Sequence, residues 1–290
     1  MRMAVFTLKQ VLCCLFIFAL FLCGVAIGMD RHLRNAPTDE VVPVFAENAF
    51  TAETAHDLIP LQIEVVKPDK PLADAKRILI YHTHTFEAYE PTKENSYKAT
   101  SKWRTEDAAY NVVRVGKELA ALLTALGLEV VHDTGKYEPP VLSTSYTRSL
   151  KMLEARDSAG EKYDLYIDLH RDAYSESMRN TNTVNIAGTP VAKLMMLVGK
   201  GSGESFSIKP EWERNYAIAE ALTENLNGQK EGLCRRISLK TGRFNQHIAQ
   251  GCVLIEVGNN MNTLEEALNS LLYLADALYY VLENMQEGEV

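Results

Sequence analysis

The sequence predicts an α/β domain, a mainly parallel sheet with helices on both faces, following an N-terminal transmembrane helix. Three observations lead there. From Arg77 to the C-terminus, short apolar runs of strand length alternate with amphipathic runs of helix length, the pattern of strands joined by helical crossovers. Ahead of that region, Pro37, Pro43, Pro60, Pro68 and Pro71 are spread through an irregular segment. Ahead of that again, residues 11–29 (VLCCLFIFALFLCGVAIGM) carry no charge.

About 20 apolar residues suffice to cross a hydrocarbon core of about 30 Å, so residues 11–29 are read as an uncleaved signal anchor. A cleaved signal peptide is the rival. The run is longer than a usual signal core and has no small-x-small site near its end. Residues 1–10 are then a short cytoplasmic N-terminus, and the body lies outside the cytoplasm at the cell membrane. Residues 30–75, rich in Pro, Thr, Asp, Glu and Ala, read as an extended tether. Residues 76–290 form the domain.

Within the domain, RILIYH is the first strand. NVVRVGKELAALLTALG follows with helical periodicity and stops at Gly127, a residue suited to ending a helix. LEVVHD is a second strand, TSYTRSLKMLEARDSAG a helix, YDLYIDLH a third strand and VAKLMMLVG a fourth. PEWERNYAIAEALTENLNG is a helix, CVLIEVG a fifth strand, and LEEALNSLLYLADALYYVLENM one long closing helix.

Composition narrows the function. The 290 residues are 47% hydrophobic with a formal net charge of -8, and no basic block is present, which argues against nucleic acid as a partner. Cys13, Cys14 and Cys23 lie in the apolar run, leaving Cys234 and Cys252 in the body. With no short pairing motif they read as small buried residues rather than a bridge.

Three strands run directly into chemically capable residues. ILIY leads to His82, Thr83 and His84, with Glu87 just after; LYIDL leads to His170, Arg171 and Asp172; CVLI leads to Glu256. In parallel sheets ligands bind beyond the C-terminal strand ends. Imidazoles and carboxylates gathered there are the ingredients of a catalytic zinc site. Each has a plainer reading, as a structural histidine or a solvated carboxylate. Glu106 and Asp107, in SKWRTEDAAY after the first strand, either open the next helix behind Thr105 as its cap or reach the histidines.

The ordered set ILIYHTHTFEAYEP, NVVRVGKEL, SYTRSL, IDLHRDA, FNQ and LIEVGNNMNTLEEA resembles the stage II sporulation protein P family of peptidoglycan hydrolases. More distantly the chain is similar to zinc-dependent N-acetylmuramoyl-L-alanine amidases. The resemblance implies an amidase-like fold and a membrane-anchored enzyme acting on the cell wall during sporulation and engulfment. It implies Zn2+ as cofactor, held by His84, His170 and Asp107, with Glu106 as the rival to Asp107. His82 belongs to the same motif and is a further candidate metal residue, the rival to His84 as ligand. Glu256 takes the place of the catalytic glutamate. Arg171 is a candidate to stabilise an oxyanion or bind a stem-peptide carboxylate, or else to pair with Asp172. Asn245 and Gln246 either bind sugar and peptide amides or form a turn. Implied partners are peptidoglycan, a second membrane-bound wall hydrolase and a membrane scaffold protein. Cleavage of stem-peptide cross-links is a further implied activity. The rival functions are a zinc carboxypeptidase acting on stem peptides and a catalytically silent wall-binding scaffold.

Overall fold

The computed structural model describes residues 76–176, 181–202 and 206–285. The expected anchor and tether lie outside these residues. Among the described residues, no helix is long and apolar enough to cross a membrane.

In chain order the elements are β1 (Arg77–Tyr81), α1 (Val112–Ala125), β2 (Glu129–His132), α2 (Ser145–Ser158), β3 (Leu165–Asp172), β4 (Thr183–Ile186), β5 (Thr189–Ala192), β6 (Leu194–Gly199), α3 (Trp212–Gln229), β7 (Ser238–Lys240), β8 (Cys252–Asn259), α4 (Leu264–Asn269) and α5 (Leu271–Asn284). One sheet has the order β2-β1-β3-β8-β6-β7, and β4 and β5 form a separate hairpin. Strands β1, β2, β3 and β8 run parallel. The sheet is therefore mainly parallel, as expected.

The two faces of the sheet are set by strand alternation. Ile78 and Ile80 of β1, Leu165, Ile167 and Leu169 of β3, and Val253, Ile255 and Val257 of β8 join the larger core with residues of α1, α3 and α5. Leu79 and Tyr81, Tyr166 and Cys252 point the other way, into a smaller cluster with Leu153 of α2. With Leu264 and Ala267 of α4 in the same core, four helices thus cover one face. On the other face α2 covers only part of the sheet, leaving room for polar residues at its upper end.

Three expectations need correction. The fourth strand, expected over VAKLMMLVG, is divided: its first residues close the β4–β5 hairpin and the rest form β6. β6 pairs antiparallel with β8. No helix among the described residues carries the chain back between β3 and β6, so β6 re-enters the sheet from the edge where β3 left it. The closing helix is broken at Ser270, whose hydroxyl donates to the Ala267 carbonyl at 2.7 Å, a competing local bond that favours a helix end. The first helix is not capped at Thr105. Asn111 caps it by accepting from the Val113 amide at 2.9 Å, and its first turn contains no acidic residue.

Candidate active site at the upper end of β1, β3 and β8

On β3, Asp168 and His170 share the face opposite the larger core, and His170 lies beside Glu256 in the register with β8. A register shift follows between His170 and Asp172, an irregularity of the kind that re-aims side chains beside functional sites. It sends Asp172 to Arg235, whose Nη2 donates to Oδ2 at 2.8 Å.

His170 is held from both sides. Its Nε2 lies 2.7 Å from Asp168 Oδ1, and its Nδ1 lies 3.2 Å from Glu87 Oε2. Burial alone would lower its pKa, but the Asp168 and Glu87 carboxylates outweigh this and hold it well above the usual value. Asp168 is itself fully committed: the Thr83 amide donates to Oδ1 at 2.8 Å and the Thr83 hydroxyl to Oδ2 at 2.7 Å. Ser149 of α2 meets that hydroxyl at 2.8 Å. Asn245 Nδ2 donates to Ser149 Oγ at 3.0 Å and to the Tyr146 carbonyl at 2.9 Å.

The turn after β1 brings in His84 and Glu87. The ring of His84 meets that of His170 edge-on, with centroids 5.3 Å apart, and its buried Nδ1 has no partner. Burial, aided by the nearby His170, lowers its pKa to about 4. Burial opposes ionisation of Glu87, but the hydrogen bond and charge of His170, with Arg171, bring it down to about 2. Glu256 is buried and its Oε2 is also unpartnered. Burial pushes its carboxyl up to about 8, with Glu87 adding to the rise and His170 opposing it.

Several expected residues lie elsewhere. Asp107 is exposed, and its carboxylate accepts from the Ala109 amide at 3.0 Å, closing a turn ahead of α1. Glu106 is exposed and pairs with Lys136. Because the helix starts only after Asn111, neither acid opens it; Glu87 is the carboxylate that meets His170. His82 turns onto the opposite face. Its Nδ1 donates to the Leu169 carbonyl at 2.8 Å, so its Nε2 accepts from His132 Nε2, also at 2.8 Å. Burial, reinforced by His132, lowers its pKa to about 3. His82 therefore braces β1 against β3 and β2 from below.

Arg171 does not pair with Asp172. It donates from Nε to the Ala88 carbonyl at 3.0 Å and from Nη2 to the Trp103 carbonyl at 3.2 Å, with Nη1 3.7 Å from Glu87 Oε1. It fixes the loop that carries Glu87. Gln246 is buried, accepting from the Gly199 amide at 2.8 Å and donating to the Leu197 carbonyl at 2.9 Å. With Asn245 committed to α2, both amides build the wall of the site instead of reaching into it.

Glu87 and Asp168 were within reach of the sequence. Glu87 stands three residues after His84 on one turn, and Asp168 precedes His170 by two, which in a strand places both on one face.

Among the described residues, no set of three or more His, Cys, Asp or Glu side chains stands as a ready-made metal cage. The donors are instead closed on one another by hydrogen bonds. Their chemistry nevertheless fits zinc: two adjacent imidazoles, a carboxylate beside one of them and, on the other, a buried nitrogen without a partner. The 3.2 Å between Glu87 Oε2 and His170 Nδ1 is close to the edge, about 3.3 Å, of a tetrahedron with metal bonds of about 2.0–2.1 Å. Asp168 on the remaining nitrogen of His170 is the outer carboxylate that zinc-bound histidines usually keep.

The sequence profile of stage II sporulation protein P matches residues 43–279. The chain belongs to the stage II sporulation protein P family. The match begins inside the segment expected to be a tether. A family relative from Bacillus subtilis (strain 168), stage II sporulation protein P, is 25% identical over 238 residues, or 77% of this chain. The chain covers 56% of that relative's length. Two solved structures are similar in form. The CwlD amidase from Clostridioides difficile, in complex with the GerS lipoprotein, gives a TM-score of 0.47 at 13% identity, covering 74% of this chain and 100% of that one. The N-acetylmuramoyl-L-alanine amidase AmiC2 of Nostoc punctiforme gives 0.43 at 13% identity, covering 73% and 97%. At these scores nothing about the site rests on them.

Proposed function

We propose that this chain is a zinc-dependent peptidoglycan hydrolase. It acts on the amide joining N-acetylmuramic acid to L-alanine of the stem peptide, from a membrane anchor that holds the domain outside the cytoplasm. The observation that carries the reading is the meeting of His84, Glu87, His170 and Glu256 on one face, with His84 Nδ1 and Glu256 Oε2 buried and unpartnered. Buried polar atoms normally find partners, so two orphans at one strand edge point to a ligand and a substrate.

His84, Glu87 and His170 are the residues that would hold zinc, with Asp168 orienting His170. Zinc, when bound, supplies Lewis acidity at the carbonyl and lowers the pKa of water toward neutrality. Glu256 takes the proton of the attacking water and returns it to the departing amine of L-alanine. Its buried carboxyl, held at about 8, is placed to gain and lose one proton within a cycle near neutral pH. Arg171 keeps Glu87 in position. The carboxypeptidase reading needs a free cation for a terminal carboxylate, and Arg171 is occupied by Ala88, Trp103 and Glu87. The family resemblance adds a second membrane-bound wall hydrolase and a membrane scaffold protein as partners to test.

The deciding experiment is mass analysis of purified peptidoglycan digested with the chain and with Glu256→Gln, which keeps size but removes the base. The expected products are free stem peptides beginning at L-alanine and glycan lacking peptide, with turnover of the variant reduced by roughly 10²–10⁴-fold at unchanged zinc content. Shortened peptides still joined to glycan would replace the amidase reading with a peptidase. Full activity of the variant would remove Glu256 as the base, and an inert unmutated chain would leave a wall-binding scaffold.

A further inference from the structure

The phenol of Tyr146 has no task in the mechanism above. Tyr146 is the second residue of α2, half-buried, with its ring against the site. The ring meets His84 edge-on with centroids 5.6 Å apart, and on its other side Phe244 edge-on, also at 5.6 Å. Among the described residues nothing bonds to its hydroxyl, although its own carbonyl accepts from Asn245 Nδ2 at 2.9 Å. Burial, reinforced by the Asp168, Glu256 and Glu87 carboxylates, raises its pKa well above the usual phenol value.

The surroundings hold that ring in place. Phe244 and Asn245 adopt φ of 49° and 56°, the left-handed region that residues with a side chain seldom enter. The strained pair presents the Phe244 ring and the Asn245 amide to Tyr146 together. Phe244 fits only because Gly199 and Gly242 lack side chains: a Cβ on either would stand 2.7 Å and 2.8 Å from its ring. Two glycines, a strained turn and an aromatic ring thus converge on one tyrosine beside His84. For packing alone a phenylalanine would serve. A phenol ordinarily keeps its proton at neutral pH, with a pKa near 10, and is therefore a hydrogen-bond donor.

We propose that Tyr146 is a further catalytic residue, its hydroxyl donating a hydrogen bond to the substrate's carbonyl oxygen as that oxygen gains negative charge. The inference rests on the hydrolase reading. Water oxygen adds to the carbonyl carbon, the carbonyl π pair moves onto oxygen, and the phenol stabilises that charge while keeping its proton. As the C–N bond breaks, the pair returns and the hydrogen bond weakens.

The test compares the unmutated chain with Tyr146→Phe and Tyr146→Leu, reading kcat, KM, zinc per chain and melting temperature. Peptidoglycan amine release by the unmutated chain is measured first. Tyr146→Phe is expected to lower kcat roughly 10²-fold, with KM, zinc and melting temperature unchanged; Tyr146→Leu, which also loses the ring contacts, is expected to lower stability too. A phosphinate analogue of the muramoyl–L-alanine amide, which carries the charged oxygen permanently, should inhibit Tyr146→Phe more weakly by a similar factor. Unchanged turnover and unchanged phosphinate affinity in Tyr146→Phe, with an active unmutated chain, would overturn this role alone. So would a loss of kcat matched by loss of zinc or melting temperature in Tyr146→Phe, since that marks packing. No amine release from the unmutated chain would overturn the hydrolase reading and the role of Tyr146 with it.

Discussion

Asp168 and His170 are two residues apart on β3, and the carboxylate of the first lies 2.7 Å from Nε2 of the second. Strand alternation places both on one face, and the Thr83 amide and hydroxyl saturate the carboxylate so that it cannot swing away. Asp168 therefore leaves Nδ1 of His170 as the nitrogen turned toward Glu87.

Asp168→Asn should keep the shape and much of the hydrogen bonding while removing the charge. Zinc affinity, measured by competition with a chromogenic chelator, is expected to fall about 10–100-fold with the fold intact by circular dichroism. Unchanged affinity would show that His170 does not depend on this carboxylate.

Glu87 and Asp107 make opposite forecasts. Metal analysis of purified variants should find zinc lost from Glu87→Ala and retained by Asp107→Ala, whose carboxylate only closes an exposed turn. The reverse pattern would restore the helix-start acid as the ligand and remove Glu87.

His82 and Gly116 test the packing beneath the site. A Cβ on Gly116 would lie 2.6 Å from Nε2 of both His82 and His132. Gly→Ala inside a helix ordinarily stabilises by about 1 kcal/mol; here overpacking should reverse the sign, costing roughly 1–3 kcal/mol in denaturant melts. His82→Ala strands the Leu169 carbonyl and leaves a hole, so a loss of about 2 kcal/mol or more is expected, with zinc still bound at saturating metal. Loss of zinc from a folded His82→Ala protein would make His82 a ligand.

Cys234 and Cys252 lie in the two different cores, on opposite faces of the sheet, and both are free thiols. Burial pushes them up to about 11 and about 12, so little thiolate forms below those values. Neither should react with a thiol reagent at pH 8 until denaturant is added. Rapid labelling of Cys234 or Cys252 in the native protein, located by peptide mapping, would mean that one face opens.

Much of the fold was legible because the relevant signals are local. The apolar runs of β1, β3 and β8 stop at polar residues in the sequence itself, and those stops mark the upper edge of the sheet. His84, His170 and Glu256, singled out for that reason, lie together at that edge. Asp107 lies apart from the histidines because α1 is capped by Asn111, six residues beyond Thr105, so the acid closes an exposed turn ahead of the helix. His82 lies apart from His84 because the strand's alternation runs on through His82, on the side of Ile78 and Ile80, and the turn that begins at Thr83 breaks it before His84. Asn245 and Gln246 could not be assigned, since their partners on α2 and β6 are distant in sequence. The same distance hid the direction of β6.

The irregularity after His170 also bears on how the chain can tolerate change in length. Upstream of it, adding or deleting one residue in β3 would exchange the two faces: Leu169 would enter the site, and His170 would point at the large apolar core. Downstream, the ladder already absorbs a shift in register between His170 and Asp172, and the chain then leaves the sheet for the β4–β5 hairpin. Insertions and deletions should therefore be excluded before His170 and admitted a few residues after it. The hairpin can then vary in size while the edge that carries His170 and Glu256 keeps its spacing.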